Sequence, residues 1–170
     1  TVEALNISLG SGGDTFTVAS THANNTVLNT NGGGETGHHR TFTAVTAVNT
    51  EAGADTTNVQ TIDARTTANA GDDADTINVG SKAPDVNGNV NGISASLNVY
   101  GEAGSDTVNV DDTSDTSDNT GNVTGTALTG LGMSAGITYG TVEALNISLG
   151  SGGDTFTVAS THANNTVLNT

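Results

Sequence analysis

The chain has no cysteine, no tryptophan, one proline and three basic residues among its 170. Each shortage removes a class of explanation. Without cysteine no disulfide can staple a thin core. Arg40, Arg65 and Lys82 are the only cations, so there is no clustered basic patch for a nucleic-acid backbone or an anionic membrane surface. No apolar run is long enough to span a membrane, and no signal-peptide pattern occurs in this stretch. No Ser-His-Asp or Cys-His set can be placed, and carboxylates without a basic or aromatic cleft make poor glycosidase material, so we expect no enzyme. At 33% apolar and 3% aromatic residues, composition alone leans towards disorder.

Repetition offsets that leanness. Leu5 to Val18, LNISLGSGGDTFTV, matches Leu97 to Val110, LNVYGEAGSDTVNV, without gaps. Thr46 to Val59 and Thr66 to Val79 keep the Asp-Thr-x-Asn-Val ending, and Thr26 to His39 is a degenerate copy with Glu35 in the acidic slot. The anchors Asp14, Glu35, Asp55, Asp75, Asp106 and Asp154 are spaced by 21, 20, 20, 31 and 48 residues. A period near 20 is one coil of a solenoid, in which each coil buries a narrow apolar line on its neighbours. Residues 1–30 and 141–170 are identical, a shift of 140. We read 1–140 as one full unit and 141–170 as the start of the next, a window on a tandem array.

The expected fold is therefore all-β, a parallel β-solenoid with coils of about 20 residues and two lateral loop insertions. Leu5, Ile7, Leu9, Phe16 and Val18 alternate with polar residues and point inwards. The first insertion is GSKAPDVNGNVNG, from Gly80, and the second is the apolar-free DDTSDTSDNTGN, from Asp111. Val123 to Tyr139 is expected to supply a sixth coil, with Leu128, Leu131, Met133 and Ile137 inward. His38 and His39 stand on opposite faces of their strand, which makes a shared ion awkward, and are read as a locally relaxed coil.

Stacking predicts ladders: Asn29, Asn49 and Asn69; Asn58, Asn78 and Asn109; and Thr15, Thr36, Thr56, Thr76 and Thr107. It also stacks the turn acids along one edge. At roughly 5 Å apart, Asp55 with Asp75 and Asp75 with Asp106 would repel and raise one another's pKa, and Asp14 and Asp154 occupy the same slot of their own turns. Asp72, Asp73, Glu51, Glu102, Asp111 and Asp112 would add oxygens nearby. Two readings stand. A row of Ca²⁺ ions, which prefer six to eight oxygens, would relieve the repulsion. Alternatively, Gly and Asp serve the turns by positive φ and Asx hydrogen bonds, which leaves the formal net charge of −15 unexplained.

GSGGDTFTV, GDDADTINV and GEAGSDTVNV resemble the repeats-in-toxin, or haemolysin-type, motif, with Asp14, Asp75 and Asp106 in the Asp slot and Phe16, Ile77 and Val108 in the apolar slot. The resemblance implies a parallel β-roll, calcium between stacked turns, and secretion. That family repeats every nine residues with turns on both sides. Here each coil of about 20 has one acidic turn, which implies a one-sided row. The 140-residue unit is similar to tandem units of very large bacterial surface proteins and exoproteins. That similarity implies an extracellular fibre or stalk in a cell-surface, adhesin or matrix role, its partners further copies of itself, with lateral bundling open. The alternative is a ligand-binding face, since the T-x-T/N array resembles calcium-dependent ice-binding solenoids.

Overall fold

Short apolar and polar residues in strict alternation, punctuated by Gly-rich turns, favour half-buried strands over helices. The computed structural model describes residues 2–170, so Thr1, the first residue of the 1–140 unit, lies outside it. Among the described residues no helix is long and apolar enough to cross a membrane. The strands are β1 (Ala4–Ser8), β2 (Thr15–Val18), β3 (Asn25–Asn29), β4 (Thr36–His39), β5 (Thr46–Asn49), β6 (Thr56–Val59), β7 (Thr66–Asp72) and β8 (Thr76–Val79). They continue as β9 (Leu97–Ala103), β10 (Thr107–Asp111), β11 (Thr120–Val123), β12 (Ala127–Gly130), β13 (Ile137–Gly140), β14 (Ala144–Ser148), β15 (Thr155–Val158) and β16 (Asn165–Asn169).

These form two facing sheets. A nine-stranded sheet runs β1-β3-β5-β7-β9-β13-β12-β11-β15, and a seven-stranded sheet runs β2-β4-β6-β8-β10-β14-β16. From β1 to β10 the chain alternates between them, giving five coils of the parallel solenoid read from the sequence. Turns passing from the nine- to the seven-stranded sheet make a first edge, and returning turns make a second.

Between the sheets lies a thin core. Leu28, Val48, Ala68 and Val99 stack in one column, and Val59, Val79, Val110 and Ile147 in the facing one, all buried. Threonines also enter it. Thr46 and Thr66 are buried and donate their hydroxyls to the carbonyls of Ala44 and Ala64, at 2.8 and 3.1 Å. That local bond lets a hydroxyl sit inside without losing its partner. The ladders read from the sequence are present: Thr15, Thr36, Thr56, Thr76 and Thr107 pair in register, and Asn49 donates to Asn29, and Asn69 to Asn49, at 2.7 Å.

Three features differ from the sequence reading. Residues after Gly80 do more than project: Ala83, Val90 and Ile93 are buried, and Ile93 bridges Ile62, which bridges Phe42, in an apolar column along the second edge. Val123 to Tyr139 is no coil. Strands β11, β12 and β13 form an antiparallel meander within the nine-stranded sheet, although Leu128, Leu131, Met133 and Ile137 are buried as expected. Positive φ at Gly130, Leu131, Gly132 and Gly136 (83°, 53°, 77° and 94°) folds the chain back on itself where a coil would cross to the other sheet. His39 is not relaxed but buried between the rings of Phe16 and Phe42, with centroids 5.5 and 5.0 Å away.

Candidate acidic edges

Each even strand from β4 to β10 is preceded by an acidic residue whose side chain turns inwards rather than to solvent. Glu35, Asp55, Asp75 and Asp106 are all buried. An Asp just before a strand can reach the backbone N–H left unpaired where the turn ends. Here it reaches the N–H of its counterpart one coil away. The N–H of Glu35 donates to Asp55 Oδ1 at 2.6 Å, that of Asp55 to Asp75 Oδ1 at 2.8 Å, and that of Asp75 to Asp106 Oδ1 at 2.9 Å. The N–H of Asp106 then donates to Glu143 Oε2 at 2.8 Å. The row is polar, with every donor facing the same way along the axis.

The turns can stack this closely because glycine stands where they touch. Gly53, at φ 124°, lies against the carbonyl of Gly33, and Gly104, at φ 148°, against that of Asp73, so that a Cβ at either would overlap backbone.

One oxygen of each carboxylate is left over. The Oδ2 atoms of Asp55, Asp75 and Asp106, and both carboxylate oxygens of Glu35, are buried without a hydrogen-bond partner. Desolvation pushes Glu35 up to about 7, with Asp55 beside it adding to the effect. Burial likewise raises Asp75 to about 7, assisted by the charges of Asp55, Asp106 and Asp73, and raises Asp106.

Of the acids read as ligands, Asp55, Asp75 and Asp106 are thus brought together in one inward row, with the partly exposed Asp14 in the first turn of the same edge. Asp72, Asp73 and Glu102 are exposed on the outside of that edge. Asp72 and Glu102, with Glu51, Asn49 and Asn69, line an open cleft of about 300 Å³.

Asp111, Asp112 and Asp154 are not in this row. They lie on the second edge, which corrects the single row expected from the sequence. There the turn 149–154 rests on the loop 112–119, which rests on 88–91. Asp112 Oδ1 accepts from the Val90 N–H at 3.1 Å, and Asp154 Oδ1 from the Asn119 N–H at 2.9 Å. Asp112 is buried with its Oδ2 unpartnered, and burial raises it to about 6. Asp111 Oδ2 accepts from the Gly88 N–H at 2.6 Å. The second lateral insertion expected from the sequence is thus a stacked turn.

Sequence reasoning missed two members. Glu143 completes the first row. Its twin Glu3 gave no sign of this, because Glu143 lies outside the Gly-Asp motif. Asp115 anchors the second edge, accepting from the Ser117 N–H at 2.8 Å and from the Asn91 and Asn119 amides at 3.0 Å each. The Ser117 bond chiefly holds it down to about 2. The Asp-x-Ser spacing of an Asx turn was its available signal.

The donor chemistry suits a hard divalent cation, because the unsatisfied atoms are carboxylate oxygens. Among the described residues no group of three acidic or histidine side chains converges as a ready-made metal cluster. On the outer face of the seven-stranded sheet, Asn78 donates to Asn58 at 2.8 Å, Asn109 to Asn78 at 2.9 Å and Asn146 to Asn109 at 2.8 Å. Beside them stand Thr56, Thr76 and Thr107. No family model matches the chain, and no curated protein or solved structure matches it.

Proposed function

We propose that the chain is a stretch of an extracellular structural fibre, a row of identical β-solenoid units stabilised by Ca²⁺ and kept soluble by its negative skin, serving at a bacterial surface or in a matrix. The observation that carries this reading is how the second copy of the 30-residue stretch is seated. Strand β14, identical to β1, pairs with β10, and β15, identical to β2, pairs with β11. Leu5, at the open edge of β1, is 39% exposed, whereas its twin Leu145 is 1% exposed. A preceding unit therefore buries the apolar line that an open first coil leaves bare, and burial of this kind is what makes stacked coils stable.

Calcium enters through the unpartnered carboxylate oxygens. Asp55, Asp75 and Asp106 on the first edge, and Asp112 with Asp154 on the second, are the residues that would hold it. Bound there, the ion supplies charge compensation to carboxylates that burial otherwise disfavours in ionised form. The test is circular dichroism and melting with calcium, again after chelation, with bound metal counted. Loss of β-structure on chelation and its return with Ca²⁺ supports the role. Indifference to chelator, with no metal bound, removes calcium from the account.

A second reading has an observation of its own. Thr76-x-Asn78 and Thr107-x-Asn109 stand in register as two half-buried columns on one sheet, continued by Thr56 and the fully buried Asn58, and the part that reaches the surface is the kind of regular array that an ordered surface such as ice would meet. Thermal hysteresis in a solution of the chain tests it, and its absence discards it.

A further inference from the structure

The identical stretches do not occupy equivalent places. Strand β1 lies in the nine-stranded sheet and its twin β14 in the seven-stranded one, while β2 and its twin β15 are exchanged in the opposite sense. The turns follow. Asp14 lies on the first edge with Glu35, and Asp154 on the second, where it meets Asn119. We infer that successive units are related by a half-turn about the fibre axis, so that each presents its acidic row, Asn ladder and 80–92 loop on the flank opposite to the unit before it. This deepens the fibre reading and rests on it.

The cause is parity. Strands β1 to β10 make ten passages, alternating between the sheets. The meander β11-β12-β13 stays within one sheet and so counts as a single further passage, making eleven. An odd number of passages delivers the next unit to the opposite sheet. Had Val123 to Tyr139 formed a full coil, the number would have been even and the units would have stacked without rotation.

The half-turn also resolves an imbalance. One unit gives eight strands to the nine-stranded sheet (β1, β3, β5, β7, β9, β11, β12, β13) and five to its partner (β2, β4, β6, β8, β10). Unrotated units would add three extra strands to the same flank every time, and the array would curl. With the half-turn the next unit reverses the surplus, and after two units each sheet has received thirteen strands. At the strand spacing of a sheet, two units then advance about 62 Å and the array runs straight on average. A lateral partner, including a second fibre, meets the same surface on both flanks, once every second unit.

Because the chain has no cysteine, engineered pairs report on this without background. In the 170-residue chain, Asn109→Cys with Asn146→Cys, and separately Asn122→Cys with Thr157→Cys, place neighbours of adjacent parallel strands within disulfide reach. The pair Asn109→Cys with Thr157→Cys represents the unrotated arrangement, in which the copy of β2 would sit on β10. Closure of the first two pairs and failure of the third is expected. The Asn122 and Thr157 pair lies outside the Asn ladder and therefore reports even if ladder variants fold poorly. Closure of the third pair alone overturns the half-turn while leaving units stacked in a fibre. Failure of all three overturns both the half-turn and the seating of one unit on the next.

Discussion

The backbone N–H of Asp106 donates to a carboxylate oxygen of Glu143 at 2.8 Å, although by motif the counterpart of Asp106 in the next unit is Asp154. Asp154 instead serves Asn119 on the opposite edge. Glu143 is thus the acid by which a new unit closes the row of the unit before it. Its truncation would strand a buried N–H. Glu143→Ala is expected to cost about 1–3 kcal/mol, whereas Glu143→Gln, which keeps an acceptor, should cost less. Thermal melts of the two variants check this, and an equal loss in both would assign the effect to charge rather than to the hydrogen bond.

Stability should fall as pH rises from about 5 to 8 in calcium-free buffer. Glu35 and Asp75 are raised from 4.5 and 3.8 to about 7, and Asp112 from 3.8 to about 6. In each case the fold binds the proton more tightly than the unfolded chain does. Their contribution is fully present below the unfolded values and is lost as pH climbs through the folded ones. This is the reverse of ordinary acid denaturation. His39 works against it. Burial holds it down from 6.5 to about 3, so stability from this source is lost as pH falls below 6.5. Several carboxylates outweigh one imidazole, and His39→Val, which installs the residue of the neighbouring Val59 position, should steepen the trend. Added Ca²⁺ should raise the melting temperature at pH 8 more than at pH 5. Melting curves across this range decide it, and a melting temperature rising from pH 5 to 8 without calcium would refute the assignment.

The Asn ladder should be weaker at its middle than at its ends when broken. Asn78 donates to Asn58 and accepts from Asn109, so Asn78→Ala removes two side-chain bonds, while Asn146→Ala removes one. At a net worth of about 1 kcal/mol per bond, the first should cost roughly twice the second. Urea unfolding of both variants measures the ratio. Equal losses would mean that the amides contribute through strand preference rather than through their axial bonds.

Much of this was legible in the sequence. The Asp-Thr-x-Asn-Val ending set the register of β6, β8 and β10, and with it the Thr and Asn ladders, because parallel in-register strands place like above like. The burial of Asp55, Asp75 and Asp106 was not legible, since nothing in an acidic turn says whether its carboxylate faces solvent or caps a stacked N–H. Nor was the meander. Apolar alternation around Leu128 and Ile137 is the same whether a strand runs parallel or antiparallel, and only positive φ at Gly130, Gly132 and Gly136 separates a reversal from a coil. The half-turn was hidden for the same reason, because it depends on counting passages between sheets and not on any residue pattern.

The most direct test is the length of chains carrying one, two, three and four further copies of the 140-residue unit, measured by small-angle scattering and electron microscopy in calcium. Thirteen strands shared between two sheets give each unit about 31 Å of axial rise. The account predicts straight rods of constant width whose length grows by that increment with every unit. Width that grows with the number of units, or separate beads joined by flexible segments, would contradict it.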